Sequence, residues 1–189
     1  MVKGDRQRGF SLLELLVALF VVVLVTSLVT LNIGSGDRDI LLQAAVEGLA
    51  DSANYALDEA QFTGVNYALA VSMEDDQGQW RFHFDWYEES PTGWQPPTGS
   101  KEVFAPTVLP PGVVVQLELD GVAEDEEALV ANPAIPQPQL VFYASGETAP
   151  GAMTIRETKT DELLWRLEWD LLGNFQALRR GQSADEEDL

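Results

Sequence analysis

Residues 10–33, FSLLELLVALFVVVLVTSLVTLNI, form an apolar run of twenty-four residues whose only charge is Glu14. At helical rise such a run is about 36 Å long, enough to cross a hydrocarbon core of about 30 Å with some tilt. The nine residues before it, MVKGDRQRG, set Lys3, Arg6 and Arg8 against Asp5. A basic flank stays on the cytoplasmic side, so the rest of the chain is expected to be exported. A cleavable secretory signal has a shorter apolar core of roughly 7–15 residues and a small-residue cleavage site. This run is longer and ends in Thr30-Leu31-Asn32-Ile33-Gly34, so a membrane span is the better reading. An acidic group inside a span costs on the order of 2–3 kcal/mol and normally has a counter-charge. Glu14 is therefore either shallow or paired.

Charge narrows what the remainder can do. Over 189 residues, 31 Asp and Glu outweigh 11 Lys and Arg, for a net charge of -20. Nucleic acid is excluded as a partner, because phosphate binding needs a basic face. Cysteine is absent and His83 is the single histidine, so thiolate chemistry, Cys-ligated zinc and His-rich metal sites have no residues to build them. No convergent catalytic set, phosphate-binding glycine loop or nucleophile elbow occurs, and no cofactor is called for.

After Gly34-Ser35-Gly36, Asp37 can cap a renewed helix. Leu42, Ala45, Val46, Leu49, Ala53, Ala56, Leu57 and Ala60 recur at helical spacing, predicting an amphipathic helix to about Phe62. The period then changes to two. Val65, Tyr67, Leu69, Val71 and Met73 alternate, a turn follows at residues 75–78, and Trp80, Phe82, Phe84 and Trp86 alternate again: a hairpin with one aromatic face. His83 falls on the other face. Residues 90–100, SPTGWQPPTGS, are expected as loop, which leaves Trp94 as an aromatic without periodic reason and a candidate contact residue. Further strands are expected at residues 113–120, 140–143, 153–157, 163–171 and 175–179. An exposed acidic insertion is expected at 121–138. Its run Glu124-Asp125-Glu126-Glu127 lacks the spacing of a dedicated calcium loop. The expected fold is α+β: a long N-terminal transmembrane and amphipathic helix packed on an antiparallel β-sheet head. Its core is expected to include Trp80, Phe82, Phe84, Val114, Phe142, Trp165 and Trp169.

Arg8-Gly9-Phe10-Ser11-Leu12-Leu13-Glu14 resembles the prepilin leader motif of type IV pilins and type II secretion pseudopilins. The resemblance implies cleavage by a prepilin peptidase after Gly9, methylation of the new Phe10 amine, and an assembly role for Glu14 as the fifth residue of the mature chain. Late in the chain, FYASGETAPGAMTIRE is similar to the H-type minor pseudopilins, with Phe142, Gly146 and residues 153–156 as the matching points. The implied organisation is a leader at 1–9, a transmembrane helix at 10–33, a periplasmic stem at 34–62, a β-rich periplasmic head at 63–181 and an acidic tail at 182–189.

That resemblance implies an inner-membrane, single-pass subunit of a secretion pseudopilus in a Gram-negative bacterium, and not an enzyme. Its partners would be other pseudopilins, major and minor, the prepilin peptidase and the inner-membrane secretion platform. The exported protein and the secretin are further candidates. A minor pilin of a type IV pilus shares the stem, though its disulfide loop and the basic head of DNA-uptake members are missing here. A membrane-tethered periplasmic binding module, working through Trp94 and the acidic insertion, is the alternative from another class.

Overall fold

The computed structural model describes residues 12–76, 78–98, 102–123 and 137–182. Among the described residues one helix, α1 (Leu12–Thr63), precedes ten strands: β1 (Tyr67–Asp76), β2 (Gln79–Ser90), β3 (Gly93–Gln95), β4 (Thr107–Val108), β5 (Val113–Leu119), β6 (Val122–Ala123), β7 (Leu140–Phe142), β8 (Gly151–Glu157), β9 (Leu163–Trp169) and β10 (Phe175–Arg179). A 3-10 turn, Glu102–Phe104, lies between β3 and β4. The chain divides into two units, Met1–Ile40 and Leu41–Leu189.

In the first unit, the side chains of α1 from Leu13 to Val23 are exposed and, Glu14 apart, apolar. Leu13, Leu15, Leu16, Val17, Leu19 and Phe20 are each more than half exposed, as are Val21, Val22 and Val23. Among the described residues no helix is long and apolar enough to cross a membrane. The side chains of residues 24–35, which complete the run read from the sequence, lie outside them.

The second unit holds the core. The stretch of α1 beyond Leu41 buries Leu42, Val46, Leu49, Ala50, Ala53, Ala56, Leu57 and Ala60, a stripe at i, i+3, i+4 spacing. Its second half is alanine-rich, with Ala50, Ala53, Ala56 and Ala60 all buried. The helix ends where Gly64, at φ +72°, turns left-handed and donates its N–H to the Ala60 carbonyl at 2.9 Å.

Two antiparallel sheets pack with this stripe. The first has the order β3-β2-β1-β7, with β4 also paired to β2; the second has the order β10-β9-β8-β5-β6. One hydrophobic cluster joins the helix stripe to the inner faces of both sheets. A string of rings runs through it, from Tyr55 to Phe104, Trp86, Phe142, Phe175 and Trp169, with centroids 4.9–5.7 Å apart. The Phe142–Phe175 contact crosses from one sheet to the other. The β1–β2 turn forms as its residues predict: Gly78 takes φ +82° and donates to Asp75 Oδ1 at 2.7 Å.

Several sequence expectations are corrected. Trp80 is 56 % exposed rather than core, because it pairs with Asp75 at the hairpin tip, beyond the edge of the packed layer. Val114 is half-buried, while Val113, Val115 and Leu117 face inward. Residues 90–100 are not all loop: Ser90 closes β2, and β3 pairs back across the two-residue turn Pro91-Thr92. The strand expected over 163–171 stops at Trp169, and Leu171 is an exposed turn residue. Val122 and Ala123, placed in the insertion, pair with β5. The acidic run 124–127 and the tail from 183 lie outside the described residues.

Candidate functional site

Gly9 and Phe10, the expected cleavage site, lie outside the described residues. Glu14 is in the first turn of α1 with its side chain exposed among the exposed leucines. An acidic residue there suits the positive end of the helix dipole. Trp94 sits in the other unit, on β3, half-buried and opposite Glu89. Its strand is held by the Ser90 hydroxyl, which donates to the Gly93 carbonyl at 2.6 Å and accepts the Thr92 N–H at 3.3 Å.

Beside Trp94 is a residue that the sequence reading passed over. Glu88 is only 7 % exposed. Its Oε1 accepts from the Gln95 side-chain amide at 2.9 Å and its Oε2 from the Thr98 N–H at 2.9 Å. Burial pushes this carboxyl up, but the hydrogen bonds from Gln95 and Thr98 together outweigh it and hold its pKa below the ordinary carboxylate value. The period of two that marks Phe82, Phe84 and Trp86 as inward runs on to Glu88, so the signal was present in the sequence. Next to it, Glu89 accepts from Asn66 Nδ2 at 2.6 Å, and Asn66 Oδ1 accepts the Ala144 N–H at 2.8 Å, tying β2 to the turn after β7.

The opposite face of β2 carries His83, Asp85 and Tyr87, all half-buried, as the alternation predicts. The His83 Nε2 is buried without a hydrogen-bond partner among the described residues. Burial raises the Asp85 pKa, His83 pulls it down and Glu74 pushes it up, with a net rise. Tyr87 is also raised, by burial first and then by the charges of Asp85 and Glu74. These three residues occupy alternate positions of one strand. Among the described residues no three His, Asp or Glu side chains gather as a metal ion would require.

Among the described residues the chemistry-bearing side chains of the second unit are dispersed, while in the first unit residues 13–23 expose apolar side chains around Glu14. The model of the type II transport protein GspH family matches residues 45–173. The chain belongs to that family. A prokaryotic N-terminal methylation motif matches residues 4–30, the stretch that holds Gly9, Phe10 and Glu14.

Among GspH-like relatives, the chain is 28 % identical to type II secretion system protein H of Aeromonas hydrophila, over 99 % of this chain and 100 % of that one. It is 25 % identical to the protein of the same name from Pseudomonas aeruginosa, over 79 % of this chain and 83 % of that one. Two structures of the minor pseudopilin EpsH from the type II secretion system of Vibrio cholerae share the fold. Their TM-scores are 0.57 and 0.59 at 22 % and 21 % identity, covering 76 % and 77 % of this chain and 99 % and 98 % of theirs. The α+β arrangement with antiparallel sheets is thus pilin-like.

Proposed function

We propose that this chain is a minor pseudopilin of a type II secretion system, a structural subunit that assembles with other pseudopilins to help export folded proteins. The observation that carries this reading is the pairing of two matches on one chain: the N-terminal methylation motif at 4–30 and the GspH family at 45–173. In this reading a prepilin peptidase cuts between Gly9 and Phe10, and Phe10 becomes the methylated N-terminus. The apolar run 10–33 holds the chain in the inner membrane, with the basic leader cytoplasmic and the head periplasmic. An exposed apolar helix surface, as seen at residues 13–23 around Glu14, suits lipid or neighbouring helices and not water. The inner-membrane platform, the exported protein and the secretin are the other expected partners. Covalent chemistry happens to this chain only as the peptidase's substrate.

Intact-mass measurement tests the reading. Protein purified from cells with the prepilin peptidase should begin at Phe10 and carry one extra methyl group. Protein from cells without the peptidase should keep Met1. A full-length chain in both, or a cut near residue 34, would overturn it. Deletion of the gene should also abolish type II secretion while leaving pili intact, which separates this role from that of a minor pilin.

A further inference from the structure

Within the second unit, the side of α1 turned away from the core carries a pattern of its own. Leu41, Gly48, Tyr55 and Phe62 follow one another at intervals of seven residues, which puts them in one row along the helix. Leu41 is 61 % exposed, Tyr55 36 % and Phe62 88 %. Gly48 is exposed too, and a Cβ added there would meet nothing within 4 Å. Tyr55 is fixed in the row by its ring, edge-on to Phe104, and by its hydroxyl, which donates to Glu59 at 2.8 Å. From Leu41 to Phe62 the row is about 32 Å long.

Two features of this face work against the head's own stability. Phe62 leaves almost its whole ring in water, while six other rings of the head form the buried string. Charge is the second. Residues 39–63 carry five carboxylates, on Asp39, Glu47, Asp51, Asp58 and Glu59, and no Lys, Arg or His. The C-terminal end of a helix favours cations, yet Asp58 and Glu59 stand near it and the last turn holds no basic residue. Asp51 and Asp58 come three residues after Gly48 and Tyr55, so both flank the apolar row, and both are exposed. Residues that break local rules without a return inside their own fold point to a contact outside it.

The charge selects the occupant. A second copy of this chain would set the same carboxylates against themselves. The chain's own acidic stretches, residues 124–127 and 183–189, are repelled in the same way. Helices that lie on anionic lipid carry Lys and Arg on their polar face, and this one carries carboxylates. What fits is a helix with apolar side chains to meet Leu41, Tyr55 and Phe62 and with Lys or Arg opposite Asp51 and Asp58. Gly48, inside the row, lets such a helix come close to the α1 backbone.

We infer that the exposed face of α1 between Leu41 and Phe62 docks a basic amphipathic helix of a different protein. This face needs neither cleavage at Gly9 nor the apolar run 10–33, so it stands or falls apart from the pseudopilin reading.

The test uses the full chain in zwitterionic detergent and a helical peptide of three heptads, with Leu at a and d and Lys at e and g. Its twin carries Glu in place of Lys. Backbone amide shifts in NMR read the binding. The lysine peptide should move the amides of Leu41, Gly48, Tyr55 and Phe62 saturably, and less readily at high salt. The glutamate peptide should bind at least tenfold more weakly. Asp51→Asn together with Asp58→Asn should weaken the lysine peptide several-fold, and Phe62→Ser about tenfold. All three positions are exposed, so melting of the head, measured alongside, should not fall in either variant. Equal binding of the glutamate peptide would overturn the inference, since apolar contact alone would then suffice. Shifts confined to residues 13–23 would also overturn it, because the peptide would be meeting only the apolar run. So would self-association of the chain that Phe62→Ser abolishes, which would make a second copy the occupant.

Discussion

Asn54 of α1 and Phe175 of β10 grip each other in both directions across 121 residues of sequence. The Phe175 N–H donates to Asn54 Oδ1 at 3.1 Å, and Asn54 Nδ2 donates to the Phe175 carbonyl at 3.4 Å. The helix side chain thereby takes the place of a strand partner at the edge of the second sheet. Gln139 does the same in the first sheet, accepting the Val71 N–H at 2.8 Å and donating to the Val71 carbonyl at 3.2 Å. Exposed sheet edges invite pairing with other chains, and both devices occupy backbone groups that would otherwise be open.

Replacing Asn54 with alanine should leave the Phe175 backbone groups part-buried without partners. The expected cost is about 1–3 kcal/mol, seen as a lower melting temperature of the head. Asn54→Asp keeps the acceptor and loses the donor, so it should fall between wild type and alanine. If alanine and wild type melt together, water replaces the amide and the grip adds nothing to stability.

Two glycines should respond in opposite ways to alanine. At Gly151 a Cβ would come 2.3 Å from the Glu118 carbonyl and 2.8 Å from the Trp169 ring. Neither can retreat easily, because Glu118 is in the ladder with β8 and the Trp169 Nε1 donates to the Ala149 carbonyl at 2.7 Å. Gly151→Ala should therefore destabilise by about 1–3 kcal/mol. At Gly48, on the exposed side of α1, a Cβ meets nothing within 4 Å. Gly48→Ala should stabilise by up to about 1 kcal/mol, because alanine favours helix. Denaturant titration of both variants checks the contrast.

The Asp85 face gives a pH dependence. Burial, the larger effect, raises the Asp85 pKa in the folded chain, and Glu74 adds to it against the pull of His83. A carboxyl with a raised folded pKa is neutral in both states at low pH, and stability is lost as pH rises from the unfolded to the folded value. The loss persists at neutral pH. Asp85→Asn should raise the melting temperature at pH 7 and leave it nearly unchanged at pH 3. Because the Asp85 charge also helps raise Tyr87, the same variant should bring the Tyr87 titration back toward its ordinary value. Absorbance titration reads that shift independently of stability.

The helix stripe and the hairpin face were legible because single elements alternate regularly against one core. Other features depended on partners far away in sequence. Three consecutive valines at 113–115 carry no parity of their own; it is set by pairing with β8, where Val115 faces Ile155. Trp80 keeps the alternation of Phe82 and Phe84, but periodicity cannot say where a long hairpin outruns the layer beneath it. Phe104 and Leu109 reach the core from a short 3-10 turn and an irregular segment, where no period exists to announce them. The candidate assembly segment was legible for the opposite reason: a leader, a glycine and a carboxylate in an apolar run are local in sequence and need no tertiary context. Glu88 was missed because an acidic residue in a chain with so many was read as surface.

Glu14 should prove an assembly residue and not a folding residue. Cleavage after Gly9 would free an amine at Phe10, four residues before this carboxylate and within the same apolar surroundings. A carboxylate and an amine brought together there attract far more strongly than in water. Desolvation of both charges removes much of that gain, leaving a net value on the order of 1–3 kcal/mol. The pair forms within a subunit or between neighbours, and only the second arrangement drives association. Glu14→Ala should leave the head's melting temperature unchanged, since the second unit has its own core. Membrane insertion should be equal or better, because one charge is gone from the run. Crosslinking to other pseudopilins should fall roughly tenfold for each 1.4 kcal/mol lost, and secretion with it. Glu14→Asp, with its shorter arm, should be intermediate. If Glu14→Ala crosslinks and secretes as wild type does, the carboxylate is interfacial, and the apolar helix surface alone carries assembly.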